Sequence, residues 1–95
     1  MIEHYNHFLP RLLKVTAVTL GRHVYYAIDA KYISIRLRSH EEVHIQQFHQ
    51  LGFYAFLFRY LKEYMYYRLK GYNHYQAYLE ISFEKEAREK ERLNG

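Results

Sequence analysis

The chain is 95 residues long, enough for one domain near the lower limit of independent folding, and has no cysteine, so disulfides and thiolate metal sites are excluded and any metal must be held by histidine and carboxylate. Its 14 basic and 10 acidic residues leave a formal charge of +4, a bias too mild to indicate nucleic acid. With 12 tyrosines, 6 phenylalanines and no tryptophan, the composition calls for a core with wet edges, a cleft or a contact surface, because a packed phenol still needs water or a partner.

The first eighteen residues place Arg11 and Lys14 inside their apolar part and lack the uncharged run of a secretory signal, which sets the expectation of a cytoplasmic protein. The longest apolar run, Leu51 to Phe58, stops at Arg59, well short of the roughly 20 residues of a membrane span; peripheral membrane contact stays open. Val15, Thr16, Val18 and Thr19, then Val24, Tyr25 and Tyr26, favour two short strands. Gly21-Arg22 between them suits a tight hairpin turn, since glycine accepts the positive φ required there. The stretch from His23 to Ala27 is the candidate edge for an extended peptide.

A helix follows, capped by Asp29 or Ser34, with Ile35, Leu37, Val43 and Phe48 as apolar positions and Gly52 as its stop. From Phe53 the apolar residues recur at three- and four-residue steps through Tyr64, predicting a second helix that ends at Gly71. Most of its circumference is apolar or aromatic. Burial at the centre of a small bundle is the expectation; an interaction face is the rival. Asn73 and Gln76 form a capping box for a short third helix, and Ser82 can cap a last one, with Phe83, Ala87 and Leu93 turned inward. These elements describe an α+β fold, a short N-terminal β-hairpin followed by three to four helices, in a single domain over residues 1–95.

The chemistry concentrates in "HEEVH". His40 and His44 stand one helical turn apart, so both rings can reach one Zn²⁺, and Glu41 sits beside the metal's open side as a general base for bound water. Without cysteine the third ligand is a histidine or a carboxylate. His49 turns to another helix face, and His74 opens the short third helix. Glu84 in "FEKEAR" is the better candidate, three residues before a small residue, Ala87, that lets two helices pack closely; Glu80 and Glu86 compete with it. Gln47 lies near the His44 face and could line the cleft or support a ligand. Tyr72, Tyr75 or Tyr78 could aim a phenol at a developing oxyanion.

"VTLGRHVYY", "RSHEEVHIQQFHQLGFYAFLFRYLKEY" and "GYNHYQAYLEISFEKEARE", in that order, resemble a family of small bacterial zinc metallopeptidases of the gluzincin kind. The resemblance implies a minimal zincin-like domain with His40, His44 and Glu84 as ligands, Glu41 as base, Zn²⁺ as cofactor and a peptide or protein as substrate. The chain departs from the family pattern at Ile81-Ser82, where Asn-Pro is common. No nucleic-acid partner is expected, because Arg36, Arg38, Arg59, Lys62, Arg68 and Lys70 are dispersed rather than clustered. The alternative is a zinc-stabilised or metal-free binding domain that uses the aromatic helix for partner or membrane-surface contact.

Overall fold

The structure is a computed structural model that describes residues 1–94, with side chains as far as Leu93. The hairpin forms as its composition dictates: β2 (Ala17–Leu20) runs antiparallel to β3 (His23–Tyr26), with Leu20 opposite His23 across the Gly21-Arg22 turn. Gly21 takes φ +66° there, a conformation disfavoured for residues with a Cβ. A third strand, β1 (Ile2–His4), lies parallel to the other side of β3, giving the order β1-β3-β2. β3 is therefore central and paired on both sides. The expectation of an edge at His23–Ala27 is wrong; the edge facing the helices belongs to β2.

β1 is held from outside itself. The Glu3 carboxylate accepts hydrogen bonds from Tyr5, Tyr26 and Arg38, tying the strand to the start of the next long helix. Between β1 and β2 lies a short helix, α1 (Phe8–Leu12), whose first turn is capped by the His7 ring and which buries Pro10. Neither element carries a readable period.

Ser34, not Asp29, caps α2 (Ile35–Leu51), its hydroxyl accepting the Leu37 N–H at 3.0 Å; Asp29 instead precedes a 3₁₀ turn over Ala30–Tyr32. α2 ends at Gly52, where φ +95° redirects the chain straight into α3 (Phe53–Leu69). The Asn73–Gln76 capping box opens α4 (His74–Glu80) with both of its reciprocal bonds present. In α5 (Ser82–Asn94), Ser82 is not an accepting cap. Its N–H and hydroxyl both donate to Glu63 of α3, at 2.7 and 2.9 Å, so a carboxylate from another helix satisfies the start of α5.

Two apolar clusters flank α2. Phe48, Phe56, Ile81 and Phe83 join it to α3 and α5, and Val24, Tyr26 and Ile33 sit under the sheet with Leu37 and Ile45 against them. α3 is not the centre of the bundle, contrary to expectation: Phe56 alone of its residues is fully buried. Leu93 also points out to solvent. In a two-layer domain of this size only α2 has neighbours on most sides. No described helix is long and apolar enough to cross a membrane.

Candidate metal centre

Burial on α2 selects the polar face. His40, Glu41, His44 and Gln47 are all buried, and so is Glu84 in the first turn of α5. Packing of α5 along α2, with the fully buried Ala87 on its inward side, brings the Glu84 carboxylate over the two imidazoles. Nε2 of His40 lies 2.9 Å and Nε2 of His44 3.0 Å from the same oxygen, Oε1 of Glu84. Donor atoms of the three residues all fall within 4.8 Å of one another, the one such grouping among the described residues.

The protons on these rings can be assigned from their surroundings. The Gln47 side-chain nitrogen donates to the Phe83 carbonyl at 3.2 Å and to Glu86 at 2.7 Å. Those two acceptors fix the orientation of the amide, so its oxygen must face Nδ1 of His44, 2.8 Å away. An amide oxygen only accepts, hence Nδ1 of His44 carries hydrogen and Nε2 is the nitrogen free to bind. Nδ1 of His40 has the Glu91 carboxylate 3.6 Å away, which favours the same tautomer. Two imidazole lone pairs and a carboxylate oxygen thus converge on one point, an arrangement that repels itself unless a proton or a cation lies between.

With a proton in that place, His44 is an imidazolium. Burial pulls its pKa down, but the Glu84 bond and charge, with Glu41 behind them, push it up to about 9. Glu84 shows the converse: burial opposes ionisation, and bonds from His40 and His44, the His44 charge, and the Tyr60 bond overcome it and hold the carboxyl well below its usual range. The other oxygen of Glu84 accepts the Tyr60 hydroxyl at 2.6 Å.

Glu41 lies beside this group, one oxygen accepting the Thr19 hydroxyl of β2 at 2.6 Å. Burial raises its pKa, with His44, Thr19 and His40 opposing. Two clefts of about 320 and 310 Å³ border it. Both are walled by Val15, Ala17, Glu41, His74 and Tyr78. The first adds His40 and the charged Lys14, Arg88 and Glu91; the second adds His44, Glu84 and an apolar wall that includes Val18, Phe56 and Leu61.

The competing ligands stand outside this group of three. His74, on the wall of both clefts, binds the Tyr64 hydroxyl at 3.0 Å through Nδ1, and its buried Nε2 has no hydrogen-bond partner among the described residues. Glu80 pairs with Lys85, Glu86 serves Gln47 and approaches Lys90, and His49 is exposed. Tyr78 is half-buried on the walls of both clefts, its phenol held in the neutral form by burial and then by the Glu84 and Glu41 charges. Tyr75 is largely exposed at the rim of the first, and Tyr72 packs on Tyr67 outside both. Thr19, Tyr60 and Glu91 escape sequence reasoning. A threonine at an inward strand position is the only signal that pointed to any of them. Comparison with protein-family profiles, curated proteins and solved structures gives no match for this chain.

Proposed function

We propose that the chain is a zinc-dependent hydrolase acting on peptide bonds, with His40, His44 and Glu84 as metal ligands and Glu41 as general base. The observation that carries this reading is the convergence of two imidazole nitrogens and one carboxylate oxygen, with the far-side nitrogen of His44 bonded to Gln47 and that of His40 facing the Glu91 carboxylate. Two imidazoles and one carboxylate, with no sulfur, are a donor set that suits catalytic zinc and leaves a fourth position open. Zinc bound there supplies Lewis acidity and water acidified to a pKa of about 7.

The chain's own residues do the rest. Glu41, oriented by Thr19, accepts the proton of the attacking water and delivers it to the leaving amine. Tyr60 fixes the Glu84 carboxylate from behind. Tyr78 presents a phenol to a cleft wall, where it can donate to the oxygen that gains charge. β2 runs past the centre at the sheet's edge and can align an extended peptide. The order of motifs, which resembles the small gluzincin-like metallopeptidases, supports the same reading.

One observation favours a second reading. The distances from both imidazoles to Glu84 are hydrogen-bond lengths, so a protonated triad closes on itself as a buried ionic contact in a metal-free binding domain. Elemental analysis of protein purified without chelator separates the two. The hydrolase reading requires about one zinc per chain, lost in His44→Ala and Glu84→Ala and kept in Glu41→Gln. That last variant should lower cleavage of a mixed peptide library by at least about a hundredfold. Metal-free wild-type protein would leave only the ionic triad.

A further inference from the structure

The outer side of α3 departs from ordinary surface chemistry. Tyr54, Phe58, Leu61, Met65 and Leu69 follow one another at steps of four, three, four and four, which at 3.6 residues per turn sets them in a single stripe along the helix. Their exposures are 82, 72, 60, 52 and 82 %. Scattered exposed apolar residues are normal; five in register along one helix are not.

Charge distinguishes the possible occupants. Lys62 and Arg68 border the stripe on opposite sides, and Lys70 follows at its end. None of the three pairs with a carboxylate among the described residues; Lys70 rests on the Tyr66 ring and hydroxyl instead. The one acid on α3, Glu63, is turned inward to Ser82 and Arg59. A second copy packed on this face about a two-fold axis would bring these unpaired cations toward their own copies. An anionic bilayer would meet the same three cations with phosphates and take the stripe into the boundary between headgroups and acyl chains. The patch also continues around the apolar cleft: Leu61 belongs to both, and Leu13 across the cleft adjoins α1, where Phe8 and Leu12 are exposed.

We propose that the exposed apolar stripe of α3, bordered by Lys62, Arg68 and Lys70, seats the protein on an anionic lipid surface. This holds whether or not a metal binds between α2 and α5. The test is co-sedimentation with sucrose-loaded vesicles, one set of phosphatidylcholine alone and one with about a third phosphatidylserine. Wild-type protein should sediment with the anionic set, far less with the neutral set, and less as salt rises. Lys62→Ala should weaken the apparent affinity about fivefold, as expected for one surface-bound cation. The doubly substituted Phe58→Ser, Met65→Ser chain should lose binding while keeping its helical circular dichroism, since both side chains point away from the core. Absence of sedimentation, or equal sedimentation with both sets, overturns the proposal. So does a concentration-dependent dimer in analytical ultracentrifugation that the double substitution dissolves, which would give the stripe to a second copy.

Discussion

α2 and α3 are both 17 residues long and adjoin in the chain, yet each places its side chains against the pattern its composition suggests. α2 buries two histidines, a glutamate and a glutamine, whereas α3, far richer in aromatic residues, buries Phe56 alone. The difference lies in the supply of partners. Every buried polar residue on α2 meets a complementary group from another element: Thr19 of β2, Glu84 and Glu86 of α5, Glu91 near its end. Hydrogen bonding makes that burial tolerable. α3 has neighbours on one side only, and no quantity of phenylalanine creates a second interior in so small a domain.

The largest effect that would sharpen this contrast comes from truncating two phenylalanines of the same helix. Phe56→Ala empties a site packed against Phe48 and Phe83 and should destabilise the fold by about 3–5 kcal/mol. Phe58→Ala, two residues on and exposed, should stay within about 0.5 kcal/mol of wild type. Urea melts of both read the difference directly; equal losses would mean that α3 is packed on both sides.

Gln47→Leu attacks the polar half of the contrast. It fits the space but removes the partner of the buried His44 Nδ1 proton and the bond to the Phe83 carbonyl, while the exposed Glu86 turns to water. We expect a loss of about 2–3 kcal/mol in urea melts, and zinc affinity about 10–100-fold weaker in competition with a chromophoric chelator. Unchanged stability would show that the buried polar face does not depend on its partners.

Glu63→Gln should have the smallest effect, about 1 kcal/mol. Burial raises the Glu63 pKa, but bonds from the Ser82 N–H and hydroxyl, together with Arg59, lower it overall. A carboxyl lowered on folding stabilises fully above its ordinary range, and that benefit fades as pH falls through the folded value. Wild type should therefore lose more stability than the variant between neutral pH and about pH 3. Parallel losses over that range would remove Glu63 from the account of α5.

Legibility followed how local each signal was. The hairpin, Gly52, the Asn73–Gln76 box and the i, i+4 pair His40/His44 are short-range statements, and the structure contains each of them. Glu84 was harder. Its distance from His44, 40 residues along the chain, is bridged only by the packing of α5 on α2, and a small residue at Ala87 is the trace that this packing leaves in the sequence. β1 and α1 were illegible because three- and five-residue segments carry no period, and what fixes them, such as the Glu3 contacts to Tyr26 and Arg38, comes from distant parts of the chain. The depth of α3 was misjudged because hydrophobicity reports a preference for burial, not the presence of a neighbour to provide it.

Tyr60 and Glu63 lie on the inner side of α3, and between them they grip the first turn of α5: one bonds the Glu84 carboxylate, the other the backbone and hydroxyl of Ser82. α3 thus carries an oily outer flank and a two-pronged clamp within. The proposed lipid contact on its outside and the proposed metal ligand Glu84 on its inside are separated by a single helix thickness.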